Sequence, residues 1–493
     1  MRAIVLGTAG GRRVLAALAV VAGAAGAARA DDAPASAPPA AASPATARAD
    51  AGDAGPAPTR LGAAECLARA GKGDRVIAAL HGVDIAKARE AEATAARLPV
   101  IDVTSIFSVI PERRGDPVSS TTPDSALFGE NITEYGPFSA TDATLTLPLS
   151  YWKLLPVKRA AHGLVTVAEG DVERTRGAVY VDTAKAYYGV LLLGDLIAVI
   201  DDGRDKVTSA LKAIDTGLSS GTGGFTPLDK LKIEAFRGEL EGRYHRATAA
   251  RATAVSALTM LVGAAPGERV EPAEDYLAPL EAALPPLADF LARAEHERPE
   301  LKMLAAGIDA RESALSLERA GLAPDVGLGG YFAFHWSPVA KDQDSPFAYD
   351  PYNHLRGGIG IGLKWTLDVG AKLARIDRAK AELEKLRAES DAAHAAIRLE
   401  VEKDYRDVEA ALAAVTATDA GLKSAGKWLF TAASAFGIGT AESRELLEAL
   451  LMQGTLSLSN LQALYDYNVG LVALEVAVGG DAAARLASLG ASK

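Results

Sequence analysis

Residues 223–229 read Gly-Gly-Phe-Thr-Pro-Leu-Asp and residues 439–445 read Gly-Thr-Ala-Glu-Ser-Arg-Glu; each stretch closes on a second glycine at the same spacing, Gly263 in one copy and Gly479 in the other. In both, an acidic residue stands six positions after the opening glycine (Asp229, Glu445), and a helical pattern then runs to a Leu/Val-rich turn. Working outward, each copy is preceded by a very long Ala-rich helical stretch. Before that come two β-patterned stretches, the first of them proline-led (Leu98-Pro99-Val100, Ala323-Pro324-Asp325). A period of about 215 to 225 residues is too long for a solenoid, so it reads as one fold unit duplicated and fused, over about 61–285 and 286–480, with a tail at 481–493.

The net charge of -11 leaves no basic patch to displace phosphate counterions, which argues against nucleic acid as a partner. Residues 1–30 have basic positions (Arg2, Arg12, Arg13), an apolar core from Val14 to Ala27 and the small-x-small site Ala28-Arg29-Ala30, the pattern of a secretory signal cleaved before Asp31. The surroundings of Gly11-Arg12-Arg13 lack the usual residues of a twin-arginine signal. Residues 31–60 are Ala/Pro/Asp-rich with almost nothing to bury, and read as a disordered linker. Glu65 directly before the single cysteine, Cys66, spoils a lipidation site, so Cys66 reads as a small buried residue of a helix. One cysteine allows no internal disulfide.

After the signal no run of 18 apolar residues survives. The nearest, Ala186 to Ile200, carries Asp195 and reads as a buried core helix. Any membrane-crossing part must therefore be made of strands closed into a barrel. Four segments alternate with period two, at about 99–111, 138–151, 324–336 and 355–367. Ile101, Val103, Phe107 and Val109 alternate with Asp102, Thr104 and Ser108. Ala143, Leu145, Leu147, Leu149 and Tyr151 alternate with Thr144, Thr146, Pro148 and Ser150. Val326, Leu328, Phe332, Phe334 and Trp336 oppose Gly327, Gly329, Tyr331, Ala333 and His335, and Ile359, Ile361, Leu363, Trp365 and Leu367 oppose Gly358, Gly360, Gly362, Lys364 and Thr366. A stretch of about ten residues fits a tilted transmembrane strand, and a Gly/Thr/Ser face opposite an apolar one suits a wet lumen. A soluble sheet with one wet face has the same alternation, but here the two hairpins are far apart in sequence and flanked by helices too long for a compact domain. Four strands do not close alone, and lipid does not tolerate bare edges, so more than one chain must complete the barrel.

The long helical stretches run from about Lys153 to Gly217 and from about Ala371 to Phe436, or roughly 98 Å each at 1.5 Å per residue. In the second, Leu373, Ile376, Ala379, Leu383, Leu386, Ser390, Ala393, Ile397, Val401, Tyr405, Val408, Leu412 and Val415 step by three and four, an Ala-rich coiled-coil seam. Shorter helices enter the hairpins (Leu61 to Arg97, Leu287 to Leu322) and leave the glycine turns (Pro227 to Val262, Ala441 to Val478). Two short ones end to end match one long one, as a gap-free cylinder requires. Thr226 and Pro227 supply an N-cap and a first-turn proline, whereas the polar segments Glu112 to Pro137 and Ser337 to His354 read as external loops.

The order helix, strand, loop, strand, long helix, glycine turn, helix, given twice, resembles the TolC-like outer-membrane efflux proteins over about Arg60 to Gly480. Its most specific element is Phe436-Gly437-Ile438-Gly439-Thr440, then Glu445-Leu446-Leu447-Glu448-Ala449, then Asn460 to Tyr467, matching the family's aromatic-x-x-Gly-Thr, acidic pair and tyrosine-bearing helix. The resemblance implies a mixed α/β membrane protein: a trimer giving four strands per chain to one transmembrane β-barrel, continued by a long α-helical coiled-coil barrel in the periplasm. Three is the family's number; the residues themselves require only more than one chain. It further implies a passive exit channel in the outer-membrane lipid that works with a periplasmic adaptor and an inner-membrane transporter. The adaptor-docking turns fall on Gly223, Gly224, Phe225, Gly439, Thr440 and Ala441, and the acidic gate of the periplasmic tip on Glu445 and Glu448. As a ring these carboxylates would attract cations; as ordinary first-turn residues they simply suit the helix dipole. Phe436 lacks the hydroxyl of the usual tyrosine and Ala441 stands where some members have a basic residue, two groups that help latch the closed tip in those members.

The seven histidines are scattered, without ligand spacing, and no zinc motif, nucleophile elbow or P-loop is present, so no catalytic residue, metal or cofactor is expected. The glycines of Gly357-Gly358-Ile359-Gly360-Ile361-Gly362 alternate inside a strand pattern and do not make a dinucleotide loop. Two other functions fit parts of the pattern: the exit duct of a type I protein secretion system, and, in another class, a soluble periplasmic coiled-coil scaffold or adaptor, which would have no membrane strands.

Overall fold

The structure is a computed structural model that describes residues 58–112, 135–220, 225–340, 350–438 and 440–490. The expected signal peptide, nearly all of the linker and the turn residues Gly223, Gly224 and Gly439 lie outside the described residues.

The first repeat comprises β1 (Thr59–Leu61), α1 (Ala63–Ala70), α2 (Asp74–Ala95), β2 (Val100–Pro111), β3 (Tyr135–Pro148), α3 (Tyr151–Ser220), α4 (Pro227–Leu261) and β4 (Val270–Pro272). The second comprises α5 (Leu287–Glu297), α6 (Pro299–Ala320), β5 (Asp325–Trp336), β6 (His354–Lys364), α7 (Val369–Gly437) and α8 (Ser443–Ala477), followed by α9 (Ala482–Gly490), the last described element. Strands β2, β3, β5 and β6 form one sheet in that order, antiparallel throughout. The two hairpins, distant in sequence, are thus joined side by side through β3 and β5.

Register decides what each face carries, because directly opposed residues project to the same side. Ile101 opposes Leu145 and Val103 opposes Ala143; Leu147 opposes Leu328, Ala143 opposes Phe332, Leu328 opposes Ile361 and Val326 opposes Leu363. The four apolar sets therefore coincide on one face, while Asp102, Thr144, Tyr331 and Gly358 share the other. The apolar face is bare: Phe107 is 79% exposed, Ile359 78% and Ile361 76%. The fourth strand ends at Lys364, so Trp365 and Leu367 are not strand residues; Trp365 Nε1 instead donates to Leu322 O at 3.0 Å. The second ends at Pro148, and Tyr151 already begins α3.

The two long helices have 70 and 69 residues. Ala379, Leu383, Ser390, Ile397, Val401 and Val408 of the expected seam are buried, but Leu412 is exposed and Ala411 is buried in its place. A straight helix drifts against a strict heptad, so the buried stripe slips by one position along so long a run. α7 packs on α6 and α8, and α3 on α2, α4, α6 and α8. Over part of its length α3 is apolar enough to cross a membrane, yet Ala184, Tyr187 and Val190 there are fully buried in the core.

The helices entering the hairpins, expected as single runs over Leu61 to Arg97 and Leu287 to Leu322, are not continuous. Each is broken: the first at Gly71-Lys72-Gly73, between 8 and 22 residues of helix, and the second at Arg298, between 11 and 22. Glycine loses most on entering a helix, and Pro299 starts a new one at its first position. Arg298 fills the second break, donating to Glu300 at 2.9 Å, to Glu400 at 2.8 Å and to the carbonyl of Ala477. Two further elements went unforeseen: the parallel pair β1–β4, where the expected linker already gives way to strand at Thr59, and α9, whose Ala482, Ala483 and Leu486 are buried where a tail was expected.

Around β1 and β4 lies a core containing Leu61, Leu67, Tyr187, Leu258 and Val270, together with Cys66. Burial pushes the Cys66 thiol up to about 12, as suits an inert core residue. The segment joining the repeats is tied across this region: Asp195 accepts from Leu277 N–H at 2.8 Å, and Asn468 accepts from Leu280 N–H at 2.9 Å while donating to Ala278 O at 2.8 Å. Asp195, which interrupts the apolar run, is thus there for a hydrogen bond, and burial lifts its carboxyl above the usual range. The repeated glycines Gly263 and Gly479 take φ of +69° and +82° directly after α4 and α8, the left-handed conformation that ends a helix.

Candidate functional site

The glycine turns bring α3 into α4 and α7 into α8, and the four helix ends share one buried core that includes Ile214, Ile233, Phe436, Leu446 and Ala449. In the first turn, Thr226 caps α4. Its backbone N–H donates to Asp229 Oδ2 at 3.0 Å and Asp229 N–H donates to Thr226 Oγ1 at 3.3 Å, a reciprocal capping box with Pro227 at the first helical position. In the second turn, Glu442 makes no side-chain cap on α8. The buried Ser443 next to it donates its hydroxyl to Asp229 Oδ1, across from the other repeat. Burial raises the Asp229 carboxyl, but hydrogen bonds from Ser443 and Thr226 and the nearby Lys232 ammonium outweigh it and hold the group below the usual carboxylate range.

Phe225 turns inward and meets Phe436 edge-on, ring centroids 5.1 Å apart. Phe436, which lacks a phenolic hydroxyl, is almost fully buried and serves as a packing residue. Ala441 is half-buried in the same core, and its N–H and that of Thr440 both donate to Ala435 O. Of the turn residues singled out in the sequence, Thr440 remains exposed, while Gly223, Gly224 and Gly439 lie outside the described residues. Large apolar side chains do stand exposed beside the turns: Leu228, Leu231 and Ile438.

Glu445 and Glu448 are both exposed on the first turns of α8. Glu448 accepts from Arg444 Nε at 2.7 Å, an i,i+4 pair that offsets part of the local negative charge and that the acidic-pair reading overlooked. The Asp229–Ser443 contact joins residues 214 apart, and nothing in either local sequence announces it.

On the polar face of the sheet, toward its loop end, His335 Nε2 lies 3.2 Å from Asp142 Oδ1 and its ring packs on Phe138 and His354. Among the described residues, no three His, Cys, Asp or Glu side chains come together as a metal site.

Residues 290–480 match the family model described as outer membrane efflux protein. No curated protein matches the sequence. Among solved structures, the outer membrane protein VceC of Vibrio cholerae is similar at 16% identity and a TM-score of 0.66, over 85% of this chain and 96% of its own. The CmeC outer membrane channel of Campylobacter jejuni is similar at 15% identity and TM-score 0.68, over 87% and 89%. The MtrE outer membrane channel of Neisseria gonorrhoeae, solved in its open state, is similar at 14% identity and TM-score 0.66, over 85% and 89%. The family named, and the outer-membrane location in its name, are those expected from the sequence. Residues 290–480 thus belong to the outer membrane efflux protein family, and the described chain as a whole has the fold of solved outer-membrane channels.

Proposed function

We propose that the chain is the outer-membrane exit channel of a tripartite efflux system, a passive conduit for small molecules driven by an inner-membrane pump through a periplasmic adaptor. One observation carries the reading: register places four apolar strand faces on a single side of a sheet whose β2 and β6 edges have no strand partner among the described residues. In water such a face and such edges are an aggregation hazard; in lipid, closed by further copies, both are satisfied. Three copies give twelve strands, with the helices continuing as a tunnel into the periplasm.

The glycine turns, with the exposed Leu228, Leu231, Ile438 and Thr440 beside them, are the surface for the adaptor. Glu445 and Glu448 line the constriction at the tip, with Arg444 moderating their field. Membrane fractionation with unheated gel electrophoresis tests the architecture: a heat-modifiable oligomer in the outer membrane is expected, and a soluble species would reject it. In planar bilayers, replacing Glu445 and Glu448 together with alanine should weaken block by divalent cations; unchanged block removes these residues from the gate.

A further inference from the structure

The polar face of the sheet is not open along its whole length. Thr144 and Thr146 of β3 are exposed there, but nearer the loop end of the same strand, on the same face, Gly136 and Ala140 are buried. What covers them is the chain on either side of the β5–β6 connection, residues 337–340 and 350–353. β3 outruns β5: Ser139 opposes Trp336, and residues 135–138 pair with β2 alone among the described residues. On leaving β5 the chain crosses over the face. Ser337, only 2% exposed, donates its hydroxyl to Pro137 O at 2.9 Å and its N–H to Asn353 Oδ1 at 2.7 Å, and Asn353 Nδ2 donates to Ala340 O at 2.8 Å. Strand alternation puts Gly136 and Phe138 on the polar face with Asp142 and Thr144. The Phe138 ring meets Tyr352 and His335 edge-on, with centroids 5.7 and 5.9 Å apart. Val339 fills the place that a side chain on Gly136 would take, its Cγ2 standing 2.7 Å from an added Cβ. The glycine is what lets the connection lie flush on the strand.

We propose that residues 337–340 and 350–353 form a fixed ledge on the lumen side of the barrel wall, and that this ledge sets the size of solute able to pass the loop end of the channel. The inference rests on the channel reading above and adds a specificity-determining element to it. Chain packed face to face on a sheet lies about 10 Å above it, so three copies narrow the bore from three sides at this level. The ledge is fixed because its attachments fail only together. Lifting it gives up the Ser337 and Asn353 hydrogen bonds and the edge-to-face ring contacts of Phe138 at once, and opens the space over Gly136.

The test uses Thr144→Cys as a reporter on the open part of the same face, since the native Cys66 is fully buried and does not compete for thiol reagents. Intact cells carrying it are treated from outside with N-ethylmaleimide and with maleimides on polyethylene glycols of increasing length; the longest that reacts is the cut-off. Adding Val339→Gly and Tyr352→Gly to the reporter should shift the cut-off to longer polymers. An unchanged cut-off, in a variant that still runs as a heat-modifiable oligomer, overturns the ledge and leaves the channel reading intact. A reporter that even N-ethylmaleimide fails to reach overturns the lumen assignment of this face, and the channel reading with it. Where the loosened variant loses its oligomer, Gly136→Cys with Val339→Cys takes its place in the reporter, oxidised so that only position 144 is left to react. A disulfide that forms and leaves the cut-off where the reporter alone has it supports a ledge already seated on the wall; a cut-off that shifts on oxidation shows a ledge that moves, and overturns the inference.

Discussion

Gly263 and Gly479 occupy the same place in the two repeats, and replacing each by alanine should have unequal effects. Both have positive φ, so either alanine incurs the left-handed penalty of about 1–2 kcal/mol. At Gly263 nothing lies within 4 Å of the added Cβ, and the effect stops there. At Gly479 the Cβ would stand 2.7 Å from the carbonyl carbon and oxygen of Glu297 and 2.9 Å from Arg298 N, all of them backbone. Forcing that backbone aside adds about 1–3 kcal/mol, as overpacked interiors do. It also displaces Arg298 from its bond to Ala477 O. On the channel reading proposed above the folded species is a membrane oligomer, which unfolds irreversibly, so the readout is a rate, the half-life of the folded band on unheated gels at a fixed temperature. With about 1.4 kcal/mol to each factor of ten, Gly479→Ala should unfold about ten times faster than Gly263→Ala or more, provided the contact is lost in the transition state. Asparagine tolerates the left-handed region, so Gly263→Asn should recover most of the loss while Gly479→Asn should not. Equal rates for the two alanine variants would refute the close-approach argument.

Three further outcomes follow from the packing and charge of individual residues. Ile361→Lys puts a charge on the bare apolar face and should lose about 2–4 kcal/mol of membrane stability, seen as a reduced yield of folded oligomer, whereas Gly360→Lys on the opposite face should assemble normally. Leu258→Ala, fully buried beside β4, should destabilise by about 2–5 kcal/mol in thermal inactivation, while Met260→Ala, 73% exposed two residues away, should leave it unchanged. Asp229 has a depressed folded pKa, so its contribution is complete above the ordinary aspartate value of about 4 and is lost as pH falls through the folded value. Hydrogen exchange at the amides of Ser443 to Leu446, corrected for intrinsic rates, should accelerate in that acid window for the parent. In Asp229→Asn it should show no such step; a step at the same pH in both would detach it from Asp229.

Much of the architecture was legible because it depends on periodicity. Period-two alternation marked four strands, and the same alternation told which side of each strand belonged with which, as the register then showed for Val103, Ala143 and Phe332. The Thr226-Pro227 start of α4 was equally plain, since a cap is a local device. The breaks at Gly71–Gly73 and Arg298 were hidden because so few residues of non-helical backbone interrupt each run. β1 and β4 are three residues each and pair across more than two hundred positions, too short for any pattern. Beside the glycine turns the charges were visible but their partners were not: Arg444 pairs with Glu448, and Ser443 reaches Asp229 only after both repeats have folded.

The pairing of β3 with β5 also governs the order in which the chain becomes safe. Asp142 and His335, which meet on that sheet, are 193 residues apart. A chain emerging N-terminus first therefore completes the hairpin of β2 and β3, with Ile101, Val103 and Phe107 uncovered, long before the strand that pairs with β3 is exported. Two strands alone are marginal, and contacts this distant in sequence form slowly. The internal duplication deepens the exposure, because the first hairpin of one chain meets, on a second nascent chain, strands of the same length and alternation as its own proper neighbour. The first hairpin thus waits uncovered for as long as the second is being made, and shortening the interval between the two hairpins would relieve that exposure.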